Sequence, residues 1–183
     1  MRTNKMKIDE KDIVLIRELV ENGRKSLMEL GKKLKMTHAA VRARLKRLEN
    51  EGYIKVQANV NPERLNIKTL YVFLKAKELR KAVEYLMKLS KNCRCIVQVS
   101  ILSSNYNLLV VLAGRNYEEL RGMIERKLRH VNYMEVAEVV LGSIIFPKHI
   151  PINATAVCEE DCSACELSKI YKAECPAPLR WLS

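Results

Sequence analysis

Two short amphipathic segments separated by only Lys35, Met36 and Thr37 constrain this chain more than any other feature. Three residues leave room for a tight turn and nothing else, so the two segments must pack against each other as a helix-turn-helix unit. The first segment starts at Ser26, with Glu29 three residues on as a capping box, and carries Leu27, Leu30 and Leu34 on one side. Thr37 caps the second, whose apolar stripe is Val41, Leu45 and Leu48, and Gly52 follows as its stop. A preceding helix is expected after Asp9, with Ile13, Ile16, Leu19 and Val20 as its stripe and a left-handed stop at Asn22-Gly23. Tyr53 to Val60 alternates partly and predicts a small two-stranded wing or a lead-out strand.

If Val41, Leu45 and Leu48 face inward, then Ala39, Arg42, Ala43, Lys46 and Arg47 point away from the core, at about 100° per residue. Between Lys35 and Leu48 stand five Lys or Arg residues and no acid. Small side chains there permit close approach, and cationic ones reach phosphates or guanine edges, so double-stranded DNA is the expected partner. His38 and Ala39 at the helix start are expected nearest the bases, Thr37 before them is counted with the DNA-binding residues, and Arg44, on the flank, is expected near a phosphate. The 183-residue chain carries a formal net charge of +12, which agrees with a polyanionic partner. No apolar run approaches the roughly 18 residues of a membrane span, and the first residues lack a signal-like apolar core, so a cytoplasmic protein without membrane contact is expected.

From Leu70 to Ile150 the pattern changes. Leu70 to Ala76 is rich in β-formers, and Leu79 to Leu89 is helical with Ala82, Tyr85, Leu86 and Leu89 on one side. Cys95 to Leu102 and Asn107 to Ala113 are strands, Tyr117 to Leu128 is a helix through Leu120, Ile124 and Leu128, and Val136 to Ile145 is a last strand. The order βαββαβ predicts a ferredoxin-like sheet with both helices on one face. The other face, with Val72, Leu74, Val97, Val99, Leu109 and Val111 among its candidates or their neighbours, is left open for dimerisation. The expected class is therefore α+β: a winged helix-turn-helix in 1–62, a linker in 63–69, the βαββαβ domain in 70–150 and a cysteine-rich tail in 151–183.

The segments DEKDIVLIRELVENGR and VRARLKRLENEGYIK, together with the βαββαβ pattern, resemble the Lrp/AsnC (feast/famine) family of transcriptional regulators over about residues 8 to 150. The resemblance implies homodimers through the second domain, assembled further into tetramers or octamers. It also implies small effectors, usually amino acids, held near the loop between the second and third strands of the sheet. Here that loop includes Ser103, Ser104, Asn105, Tyr106 and Asn107, where the family commonly has a Gly early and an Asp after the aromatic residue. A neutral amide holds an ammonium group less well than a carboxylate does. Siroheme decarboxylases share the two-domain architecture and supply a competing enzymatic reading. No catalytic constellation stands in the sequence, so the chain is read as a regulator and not an enzyme.

Beyond Pro151 the family pattern ends, and Cys158, Cys162, Cys165 and Cys175 follow as C-x3-C-x2-C-x9-C-P. Short spacings let several thiolates converge on one centre. An iron–sulfur cluster through which the regulator senses redox state or metal is expected, with zinc as the alternative and a disulfide or structural staple as a third reading. Cys93 and Cys95 are a separate pair, expected as small core residues of a strand.

Overall fold

The computed structural model describes residues 8–93 and 95–152. Its described residues divide into two compact units, 8–58 and 59–152.

The first unit is three helices, α1 (Glu10–Glu21), α2 (Leu27–Leu34) and α3 (His38–Asn50). Each begins where a side chain takes up unpaired backbone N–H groups. Asp9 and Asp12 form a reciprocal box on α1, with Asp12 N–H donating to Asp9 Oδ1 at 2.8 Å and Asp9 N–H to Asp12 Oδ2 at 3.0 Å. Ser26 and Glu29 do the same on α2, and Thr37 Oγ1 accepts from Ala40 N–H on α3. The core is Leu15, Leu30, Leu34, Val41 and Leu48, with Ile16, Leu19, Leu27 and Leu45 packed around it.

The apolar stripes of α2 and α3 are those expected, but that of α1 is so only for Ile16 and Leu19. Ile13 and Val20 are exposed, and the buried positions are Asp12, Leu15 and Glu18. Nor does α1 stop through a left-handed residue: Asn22 is extended, and its side chain accepts from Arg24 N–H in a local turn. α3 does end on a left-handed Gly52, with Tyr53 N–H returning to Leu48 O and Gly52 N–H to Glu49 O.

The hairpin wing is not formed. Residues 53–58 carry no strand, and β1 (Asn59–Val60) pairs antiparallel with β6 (Ile150–Pro151) inside the second unit. Residues 62–67, expected in part as a linker, instead turn back on themselves, with Ile67 N–H donating to Pro62 O and the Ile67 side chain buried.

The second unit is built on β2 (Lys68–Ala76), α4 (Leu79–Asn92), β3 (Ile96–Ile101), β4 (Leu108–Gly114), α5 (Tyr117–Met123) and β5 (Met134–Gly142). A π-helical turn, Ile124–Leu128, continues α5. The sheet order β3-β4-β2-β5, all antiparallel, is the ferredoxin-like arrangement. Ala82 and Leu86 of α4, and Leu120, Met123, Ile124 and Leu128 after β4, bury one sheet face.

That face is Leu70, Val72 and Leu74 opposite Leu112, Val110 and Leu108, joined by Val99 of β3. Val72, Leu74 and Val99 therefore lie on the helix side and not on the open side. The open side carries Tyr71, Phe73, Leu109 and Val111, since side chains alternate along each strand. One end of it is covered by the chain itself, where Ile67, Ala113 and Ile152 pack with Val60, Leu65 and Val97. No helix among the described residues is long and apolar enough to cross a membrane.

Candidate nucleic-acid interface

The turn between α2 and α3 is built from a close approach and a left-handed residue. Lys35 has φ of 50°, and Met36 N–H returns to Gly31 O at 2.9 Å. A Cβ at Gly31 would stand 2.8 Å from Met36 O, so only glycine lets the turn fold this tightly. Thr37 then spends its hydroxyl on the cap of α3. His38 and Ala39 emerge exposed in the first turn, with the helix's positive end beside them.

Of the other residues expected to meet DNA, Arg42, Ala43 and Lys46 are exposed, and with Ala39 they occupy one arc of α3. Among the described residues, neither Arg42 nor Lys46 makes an ion pair. Arg44 and Arg47 are placed differently. Arg44 Nη1 stands 2.7 Å from Asp9 Oδ2 and 2.7 Å from Asp12 Oδ1, and Arg47 Nη2 bonds Asp12 Oδ2. Both guanidiniums thus face α1 and hold the two helices together.

Asp12 is fully buried between them. Burial pushes its carboxyl up, but hydrogen bonds from Asp9 N–H, Arg47 and Arg44 outweigh this and bring it down to about 2. Glu18, six residues along α1, is the second buried acid. Its oxygens stand 2.8 Å from Lys25 Nζ and 2.5 Å from Lys33 Nζ, and the hydrogen bonds from Lys25 and Lys33 hold its carboxyl below the ordinary value. α1 therefore pairs with Arg44 and Arg47 of α3, with Lys33 of α2 and with Lys25 just before α2, whereas Arg42 and Lys46 make no ion pair among the described residues.

Sequence reasoning missed four residues here. Asp12 and Glu18 were hidden because acids are expected outside, although the D-x-x-D spacing of Asp9 and Asp12 was a visible cap signal. Lys32 and Lys35, both exposed, line a shallow depression with Thr37 and His38 at the α2–α3 junction.

In the second unit, the expected effector loop is a compact turn. Ser103, Ser104 and Asn105 are exposed, and Ser104 Oγ donates to Tyr106 O at 2.6 Å. Tyr106 lies over the open sheet face, its ring centroid 5.4 Å from that of Phe73 and 5.8 Å from Lys75 Nζ. A hydrogen bond to Glu138 raises the Tyr106 hydroxyl above its ordinary value. Asn107 directs its amide to the backbone of Ala76 and away from the loop's outer surface. Cys158, Cys162, Cys165 and Cys175 lie outside the described residues.

A capped helix-turn-helix with an uncompensated basic arc, carried with a ferredoxin-like domain, defines the class of helix-turn-helix DNA-binding regulators. Residues 8–49 match the AsnC-type helix-turn-helix domain. An HTH-type transcriptional regulator of Pyrococcus abyssi is 27% identical over 147 residues, covering 78% of this chain and 90% of the relative. The HTH-type transcriptional regulator LrpA of Pyrococcus horikoshii is 27% identical over 126 residues, covering 68% of this chain and 89% of its own. The crystal structure of the leucine response regulatory protein LrpA of Mycobacterium tuberculosis superposes with a TM-score of 0.65 at 20% identity, over 79% of this chain and 100% of that one. At that identity the likeness establishes the fold, a helix-turn-helix followed by a ferredoxin-like domain.

Proposed function

We propose that this chain is a sequence-specific transcriptional regulator of Lrp/AsnC type that lays α3 in the major groove of DNA. The observation that carries the reading is the sorting of charge on α3. Arg44 and Arg47 are neutralised by Asp9 and Asp12, whereas Arg42 and Lys46 share one exposed arc with the small residues Ala39 and Ala43. Small residues let the helix backbone enter the groove, and the two cations on the same arc reach its phosphates or guanine edges. Lys32 and Lys35, beside the positive end of α3, suit a phosphate at the groove's edge.

The test is selection of binding sites from a random duplex library with the full chain, followed by affinity measurements over a salt series. The expected result is a recovered site bound about 10³-fold or more tightly than random duplex, with log K falling linearly against log salt. Equal binding to every duplex would remove the proposal.

Three finer readings accompany it. A second copy of the chain covers the open sheet face around Tyr71, Phe73 and Leu109, giving a homodimer that light scattering detects. A small effector such as an amino acid binds by the 103–107 loop. Shifts in operator affinity on adding each amino acid test this, and the amide of Asn107, already engaged with Ala76, supplies no contact to it. Cys158, Cys162, Cys165 and Cys175 hold an iron–sulfur cluster, with zinc the alternative. Anaerobic purification with a visible spectrum and metal assay separates the two, since a cluster is coloured and zinc is not.

A further inference from the structure

Neither the DNA-facing arc nor the open sheet face uses a cavity of about 480 Å³ at one end of the second unit's sheet. It lies where β2 begins and β5 ends, with Thr69 opposite Gly142. The 103–107 loop lies at the other end, beyond Leu74 and Leu108, roughly 17 Å away along β2 at about 3.4 Å per residue. The turn over residues 61–67 makes one wall of the cavity, and residues 142–148 make the other. That turn is closed by Ile67 N–H donating to Pro62 O at 2.8 Å and Asn66 N–H to Glu63 O at 3.0 Å, with Asn66 left-handed at φ 52°. The buried Thr69 donates its hydroxyl to Gly142 O and ties the two walls together. A cavity of this size takes a small metabolite.

The side-chain hydrogen-bonding capacity left over in it is mostly donor. Asn61 Oδ1 accepts from Arg64 N–H at 3.1 Å, and Asn66 Oδ1 accepts from Lys68 Nζ at 2.7 Å. Each amide has spent its oxygen and keeps its N–H groups, for which no acceptor stands among the described residues. Lys68 is half-buried and Lys148 exposed, and neither makes an ion pair among the described residues. Ser143 adds a hydroxyl on the second wall. Two ammonium groups, one from each wall, attract a doubly negative group, and the amide and hydroxyl donors match its oxygens. Glu63, exposed at the same cavity, repels a further anionic group and accepts from hydroxyls instead.

We propose that this cavity binds a small phosphate monoester of a polyol. Lys68 and Lys148 take the phosphate, the amides of Asn61 and Asn66 donate to its oxygens, and Glu63 accepts from the polyol hydroxyls. The inference stands independently of DNA binding, because no residue of the first unit lines the cavity.

The test is calorimetric titration of the full chain with glycerol 3-phosphate near pH 8, where the ester carries close to two negative charges. Inorganic phosphate and glycerol are titrated beside it. Saturable binding of the ester is expected, tighter than that of inorganic phosphate and absent for glycerol. K68Q and K148Q should each weaken it about tenfold or more, since each removes a charge-assisted hydrogen bond. Lys148 is exposed, so K148Q keeps the fold. E63Q should narrow the preference for the ester over inorganic phosphate. K46A, on the DNA-facing arc, should change nothing, which separates this site from phosphate binding by α3. No saturable binding of the ester would overturn the proposal, as would wild-type affinity in K68Q and K148Q or an equal loss in K46A. An unchanged preference in E63Q would overturn the assignment of the polyol.

Discussion

The side-chain amide of Asn107 makes both hydrogen bonds of a strand neighbour to Ala76. Ala76 N–H donates to Asn107 Oδ1 at 2.7 Å, and Asn107 Nδ2 donates to Ala76 O at 2.8 Å. The amide thereby extends the β2–β4 ladder one step past its last register pair, Leu74 with Leu108. A carboxylate is acceptor-only, so it satisfies the N–H and leaves the carbonyl facing negative charge. N107D should therefore destabilise the second unit by about 1–3 kcal/mol. Chemical denaturation of the purified variant checks this, and an unchanged midpoint would show that the Ala76 carbonyl finds water instead.

The buried Asp12 makes the first unit acid-sensitive. Its carboxyl lies at about 2 in the folded chain against an ordinary 3.8, so folding stabilises the charged form. That contribution, about 2 kcal/mol, is fully present above pH 3.8 and is lost as pH falls through about 2. D12N should be less stable than wild type at neutral pH and should show a flatter stability profile between pH 4 and 2. Thermal unfolding across that range, followed by a probe in the first unit, measures both.

How much of this was legible in the sequence differs by element. The caps at Ser26 and Thr37, and the stripes Leu27-Leu30-Leu34 and Val41-Leu45-Leu48, were readable because caps and periodicity are local. The buried face of α1 was not. Asp12 and Glu18 can be buried only because Arg44, Arg47, Lys25 and Lys33 come to meet them, and that depends on tertiary packing. The βαββαβ order was readable, but the phase of the strands was not. β4 is apolar on both faces, so alternation does not say whether Val110 or Val111 meets the helices. The wing failed for a related reason: residues 59–60 find their partner in residues 150–151, about ninety positions away.

On α3, mutations should separate into two kinds. R42A and K46A should each lower affinity for the selected site about 5–30-fold and reduce the salt slope by about 1, with the denaturation midpoint unchanged. R44A should lower the midpoint, because it removes the cation shared by Asp9 and Asp12. Anisotropy titrations beside urea melts distinguish the two. Loss of DNA binding in R44A without loss of stability would place Arg44 on the phosphate after all.

The turn itself offers a pair of opposite changes. Lys35 holds φ at 50°, a conformation that costs a residue with a Cβ about 1 kcal/mol relative to glycine. K35G should raise stability by roughly 0.5–1 kcal/mol, since the left-handed position after α2 is where glycine is favoured. It also deletes one exposed cation, so DNA affinity should fall slightly although the fold is firmer. G31A should lower stability instead. Its Cβ would meet Met36 O at 2.8 Å, and that oxygen is backbone and cannot swing aside. The turn must open, which tilts α3 relative to α2 and breaks the Met36 N–H to Gly31 O bond. A loss of about 2 kcal/mol and a larger loss in DNA affinity than R42A are expected, because every contact of α3 is displaced together. Wild-type affinity in G31A would mean that α3 is not the element that enters the groove.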